Sequence, residues 1–195
     1  GNDDYFKRNT FSFRGNTKIK GGLAWLNYGV TYVRKDVRNA MTGQGQNGST
    51  IYQDILQYPV DIDYGDLKDY NSIYNNADNY YLPYAQNPWT LDHNYSTFQD
   101  DRVYGNIEVG FQLYKGLSLI GRLGGDFSNS LEKYYNDIWV FSPGSYTETE
   151  GGSAEQGSYE EISRKSNQID ANVLLNADYR FGRDWSLHAA AGWNL

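Results

Sequence analysis

The sequence contains no cysteine, so neither a disulfide framework nor thiol chemistry is open to it. It has two histidines, His93 and His188, and no nucleophile elbow, which leaves an enzyme little to work with. No apolar run reaches 18 residues, which rules out a transmembrane helix. A β-barrel escapes that test, because alternating strands carry a weak hydropathy signal. Basic character is also missing: 17 Lys and Arg stand against 24 Asp and Glu, a net charge of -7, so nucleic acid is not an expected partner. The opening Gly1-Asn2-Asp3-Asp4 has neither the basic start nor the apolar core of a signal peptide. An exported protein would therefore carry this chain as a mature piece or an internal fragment. Only 39% of residues are hydrophobic, which disfavours a single large buried core despite a length that allows one.

What the sequence does have is alternation. From Ile169 every second residue is apolar: Ile169, Ala171, Val173, Leu175, Ala177, Tyr179 and Phe181. The interleaved Gln168, Asp170, Asn172, Asn176, Asp178 and Arg180 are polar, with Leu174 the exception. Successive side chains of a strand point to opposite faces, so this is a ribbon with one greasy and one wet side. The pattern recurs. Phe11 and Phe13 oppose Arg8, Thr10, Ser12 and Arg14. Leu26, Tyr28, Val30 and Tyr32 oppose Asn27, Gly29 and Thr31, with Val33 less regular. Val103, Gly105, Ile107, Val109, Phe111 and Leu113 oppose Arg102, Tyr104, Asn106, Glu108, Gly110 and Gln112. After a tight turn at Tyr114-Lys115-Gly116, Leu117, Leu119, Gly121, Leu123, Gly125 and Phe127 oppose Ser118, Arg122, Gly124, Asp126 and Ser128, with Ile120 the exception. A turn at Gly182-Arg183-Asp184 leads to Trp185, Leu187, Ala189, Ala191 and Trp193, with His188 on the polar side.

Between Asp36 and Asp100, and again from Asn129 to Glu160, the periodicity vanishes. Gly43-Gln44-Gly45-Gln46-Asn47-Gly48 spells G-x-G-x-x-G, but no buried strand precedes it and a loop is the better reading. Ser49 is placed to cap a short helix ending at Tyr58-Pro59. Asp61, Asp63, Asp66 and Asp69 lack the glycine position of a calcium loop and read as solvated carboxylates, so no metal site is expected. Aromatics then cluster: Tyr70, Tyr74, Tyr80, Tyr81, Tyr84, Trp89, Tyr95 and Phe98. They either bind a guest or form the loop's own small core.

Short connections near 15–24, 114–116 and 182–184 thus alternate with long ones at 36–100 and 129–160. Brief turns at one end and long loops at the other are the habit of outer-membrane barrels. The expected fold is all-β: antiparallel up-and-down strands forming part of a transmembrane β-barrel, its apolar faces toward lipid. Trp25, Phe127, Phe181, Trp185 and Trp193 would supply the aromatic girdles. Arg102, Glu108, Arg122, Asp126, Asp170, Asp178 and Arg180 would line a hydrated lumen.

Particular phrases add a resemblance. Asp101-Arg102-Val103-Tyr104-Gly105-Asn106, Tyr84-Ala85-Gln86-Asn87-Pro88-Trp89 and Arg122-Leu123-Gly124-Gly125-Asp126-Phe127-Ser128 resemble the barrel of SusC/RagA-type TonB-dependent transporters, outer-membrane importers of Bacteroidota. Ile51 to Pro59 followed by Asp61-Ile62-Asp63 is similar to an extracellular loop of that family, and Tyr5 to Arg14 to one of its strands. The resemblance spans most of the chain. That family carries a signal peptide, a TonB box, an N-terminal plug and a 22-stranded barrel. The first three do not occur in this sequence, and six strands cannot close such a barrel, so residues 1–195 read as an internal slice of the barrel.

The resemblance implies import of oligosaccharides or peptides across the bacterial outer membrane. A SusD-like surface lipoprotein would act as lid, and TonB would drive the import through an N-terminal region absent here. It implies no enzyme activity and no cofactor. Tyr80, Tyr81, Tyr84 and Trp89 are the expected substrate-binding aromatics. The competing expectation is a soluble β-sandwich that grips glycans with aromatic loops, its apolar faces covered by a second sheet.

Overall fold

The computed structural model describes residues 3–40, 56, 60–61, 63–70, 87, 89, 93–138, 140–150 and 156–195. Its strands are β1 (Tyr5–Ile19), β2 (Ala24–Ala40), β3 (Tyr95–Tyr114), β4 (Leu117–Asn136), β5 (Ser158–Phe181) and β6 (Trp185–Asn194). They pair in chain order as one antiparallel up-and-down sheet. A single helical turn, α1 (Tyr146–Thr149), and 3-10 turns at Lys20–Gly22 and Tyr64–Lys68 complete the described elements.

The strands outrun the alternation that announces them. β2 continues to Ala40, β3 begins at Tyr95, β4 reaches Asn136 and β5 begins at Ser158, which trims the long connections to 41–94 and 137–157. Ladder hydrogen bonds need no apolar face where both sides of a ribbon are polar, so the hydropathy signal stops before the pairing does. Gly15-Asn16, read from sequence as part of a turn, lies inside β1, and the chain reverses at Lys20–Leu23 instead. The glycine there serves close approach: a Cβ on Gly15 would fall on the Tyr28 ring. The helix expected from Ser49 and the Gly43–Gly48 motif lie outside the described residues, apart from Leu56.

The chain forms two compact units. One comprises Arg8–Lys35, Asp100–Ser130 and Arg164–Leu195. Here the two faces of the sheet separate as alternation requires. Phe11 stacks on Tyr32 at 6.5 Å and Phe13 packs on Tyr28 at 5.7 Å on the apolar face. Ser12 and Thr31 hydroxyls share a 3.0 Å hydrogen bond on the other. In the β5–β6 register, Phe181 faces Trp185, Tyr179 faces Leu187, Ala177 faces Ala189, Leu175 faces Ala191 and Val173 faces Trp193. Arg180, Asp178 and Asn176 pair with Ser186, His188 and Ala190 on the polar side.

The apolar face is uncovered: Phe13 is 63% exposed, Ile107 49%, Leu187 49% and Trp193 67%. No second sheet exists among the described residues, so the covering layer a β-sandwich demands is missing there. Meanwhile the irregular members of the polar face, Val33 and Ile120, are buried at 3% and 9% exposure, as is Thr31 at 4%. The breaks in the alternation thus mark the small core of this unit. Leu174, the third break, covers Gly192, where an added Cβ would meet its side chain.

The other unit comprises Gly1–Lys7, Asp36–Gln99 and Leu131–Ser163. Leu67 and Asn87 are its most buried described residues besides Ala40, at 3%, 4% and 8% exposure.

Candidate functional site

On the polar face of the sheet unit, the expected lining residues meet in pairs. Arg102 grips Asp126 with two guanidinium nitrogens, its Nε donating to Oδ1 at 2.8 Å and its Nη2 to Oδ2. Glu108 is a hub. Its Oε1 accepts from Trp25 Nε1 at 3.2 Å and Asn27 Nδ2 at 2.9 Å, while its Oε2 accepts from Arg122 Nε at 2.6 Å. Lys35 pairs with the buried Asp100 at 3.3 Å. Asp178 meets His188 Nδ1 at 2.5 Å, and Asp170 takes long contacts of 3.3 and 3.4 Å from Gln168 Nε2. Arg180 is exposed opposite Ser186 and joins none of these pairs. The more exposed of these pairs, such as Arg102–Asp126 and Asp178–His188, are screened by solvent, so their main effect is to fix side chains and polarity along the face.

One expectation is corrected. Trp25 is not a girdle residue on the apolar face: its indole turns to the polar face, bonds Glu108 and lies over Gly110. Gly110 makes this possible, since any Cβ there would collide with the ring. The sequence held the clue, because Trp25 shares its parity with Asn27 and faces a glycine across the ladder.

In the loop unit, Trp89 is woven into a small cluster. Its Nε1 donates to Tyr64 O at 3.0 Å, its ring packs on Tyr64 at 5.1 Å, and Lys68 stands 5.4 Å from its centroid. Asn87 anchors the cluster, donating to Leu67 O at 2.8 Å and accepting from Trp89 N at 3.0 Å. Asp63 caps the Tyr64–Lys68 turn by accepting from Gly65 N at 2.7 Å, which gives one of the loop carboxylates a structural task. Tyr80, Tyr81 and Tyr84 lie outside the described residues. Arg38 lies 4.4 Å over the Tyr95 ring, which stacks on Tyr135 at 5.3 Å.

Sequence reasoning missed the role of His93. Its Nε2 lies 3.3 Å from Tyr70 Oη and its Nδ1 3.0 Å from Asp137 Oδ2, so it joins the two long connections. Asn94 Oδ1 accepts from Asp137 N at 2.7 Å beside it. His93 and the Ile138 amide hold the Asp137 carboxyl below its ordinary pKa. A depressed carboxylate pKa stabilises above the unfolded-state value and loses that contribution as pH falls through the folded one. Amide protection factors around Asn94 and Ile138, with the intrinsic pH dependence of exchange divided out, should therefore be steady near neutrality and fall only below the usual carboxylate range. Asp137→Asn should remove that acid-side step, as hydrogen exchange across a pH series would show.

No protein-family model matches the sequence, and no curated protein matches it. Among solved structures, the chain is similar to one of the RagAB peptide importer in its open-open state, with TM-score 0.66 and 16% identity over 97% of this chain and 20% of that one. The chain shares the all-β, antiparallel up-and-down fold of the part of that structure it matches. It is similar too to the ferric-catecholate import receptor Fiu from E. coli K12, with TM-score 0.46 and 14% identity over 88% of this chain and 23% of that one. The chain spans about a fifth of the importer's length. At such identity the likeness is one of fold alone.

Proposed function

We propose that residues 1–195 form part of the barrel wall of a TonB-dependent outer-membrane importer, with the connections 41–94 and 137–157 as extracellular loops. The observation that carries this reading is the uncovered apolar band. On β3 it runs from Val103 to Leu113, ten residues apart, which spans about 34 Å along an antiparallel strand. At a tilt of about 40° this projects to about 26 Å, close to the apolar height of outer-membrane barrels. The band stops where a polar cluster begins: Tyr32 Oη bonds Asp101, and Arg34 lies 3.5 Å from the same carboxylate, all on the apolar side. Such a rim suits the lipid headgroup level.

On this reading the paired charges of the polar face hydrate a lumen, and no bond of the cargo is made or broken. The phrases resembling the SusC/RagA type, together with the likeness to the RagAB peptide importer, support oligosaccharides or peptides as cargo, a SusD-like lipoprotein as lid, and a Bacteroidota source. Energy coupling through TonB would belong to parts of the protein other than these residues.

The absence of native cysteine makes a direct test clean for this chain. In the full-length protein reconstituted in vesicles, Ile107→Cys and Leu187→Cys should resist a water-soluble maleimide, whereas Asn176→Cys and Ser186→Cys should react. Equal reactivity of the two sets would refute the lipid-facing assignment.

A further inference from the structure

The charge on the polar face runs against that of the chain. The sequence carries a net charge of -7, yet polar-face positions of the sheet unit hold eight Lys and Arg against five Asp and Glu. The carboxylates there are engaged: Asp100 by Lys35, Glu108 by Arg122, Asp126 by Arg102, Asp178 by His188 and Asp170 by Gln168. Of the cations outside these pairs, Arg180 lies on β5, while Arg8, Arg14 and Lys18 share β1. Arg14 and Lys18 are exposed and have no carboxylate partner among the described residues. Arg14 does not splay off the sheet edge. Its Cγ lies over Gly29, 3.4 Å from where a Cβ would stand, with Asn106 Oδ1 near the same point at 3.7 Å.

Beside these cations lies a cavity of about 530 Å3 lined by Asn16, Thr17, Lys18, Gly22, Trp25 and Asn27. Its volume is within the range of small-molecule sites, and its lining combines an aromatic ring, two amides and a cation. The Glu108 carboxylate fixes Trp25 and one Asn27 donor, so these walls are ordered before a guest arrives.

We propose that this corner of the polar face binds an acidic oligosaccharide, with Arg14 and Lys18 taking carboxylates, Trp25 presenting its ring to the apolar face of a sugar, and Asn16 and Asn27 meeting hydroxyls. The inference rests on the importer reading and narrows its cargo to uronate-type glycans. A peptide carboxylate would satisfy the cations equally but would leave the ring and the paired amides without their match.

The test is calorimetric titration of the full-length protein in detergent with trigalacturonate, its methyl ester and triglutamate. Trigalacturonate should bind at least about tenfold more tightly than the uncharged ester. Rising salt should weaken that binding. The double variant R14Q/K18Q should lose about tenfold or more, while K115Q/R183Q, with the same loss of charge at two turns, should bind as the parent does. Equal affinity for acid and ester, no effect of R14Q/K18Q, or no binding of trigalacturonate would overturn the site. Tighter binding of triglutamate would overturn its assignment to sugars. These results leave the maleimide pattern untouched, so failure here and failure of the barrel reading are separable.

Discussion

On the proposed barrel reading, Ile107→Arg should destabilise the protein in a bilayer by about 2–4 kcal/mol, the cost of a cation at mid-depth on the lipid face of a barrel. Ile107 lies near the middle of the Val103–Leu113 band and is 49% exposed. Near the rim, where Arg34 already stands by Asp101, an added cation should cost far less. Asn176→Arg, on the polar face opposite Ala190, should change stability by less than about 0.5 kcal/mol. Urea titrations of the folded protein in vesicles, followed by tryptophan fluorescence, would compare the three. A small Ile107→Arg effect, equal to that of Asn176→Arg, would mean that water reaches both faces.

Glu108→Ala should have the next largest effect, about 1–3 kcal/mol. One carboxylate satisfies three donors on β2 and β4, and its side chain is only 17% exposed. Removing it leaves Trp25 Nε1 and the Arg122 guanidinium facing each other without an acceptor. Glu108→Gln should recover part of the loss, because an amide oxygen still accepts while its charge is gone. The readout that separates this role from simple packing is the Trp25 environment. Its emission should move in Glu108→Ala and stay nearly fixed in Asp126→Ala, whose carboxylate binds Arg102. An unmoved indole in Glu108→Ala would remove Glu108 from the role of hub.

Much of the sheet was legible because period-two hydropathy reports strand parity directly. The β5–β6 register pairs Tyr179 with Leu187 and Asp178 with His188, as the written alternation demands. The same signal failed at strand ends, since Tyr95 to Asp101 and Leu131 to Asn136 pair without alternating. It failed at Trp25 for a different reason. An aromatic near a strand end has two uses, at a lipid interface or folded over a glycine, and only the partner across the ladder decides. The charged pairs were half legible: parity put Arg102, Glu108, Arg122 and Asp126 on one face, but composition cannot say who grips whom. The His93 bridge was hidden, because contacts between residues 70, 93 and 137 depend on chain paths that no local pattern records.

The contrast between a two-residue reversal at Lys115-Gly116 and the 54-residue stretch separating Ala40 from Tyr95 has a thermodynamic corollary. The entropy of loop closure grows only with the logarithm of loop length, so doubling a long connection adds about 0.6 kcal/mol. New sequence can be grafted there almost freely, whereas a single residue added at Lys115-Gly116 must be absorbed by the ladder. Sequence variation can thus accumulate on one set of connections while the strands that carry them stay unchanged.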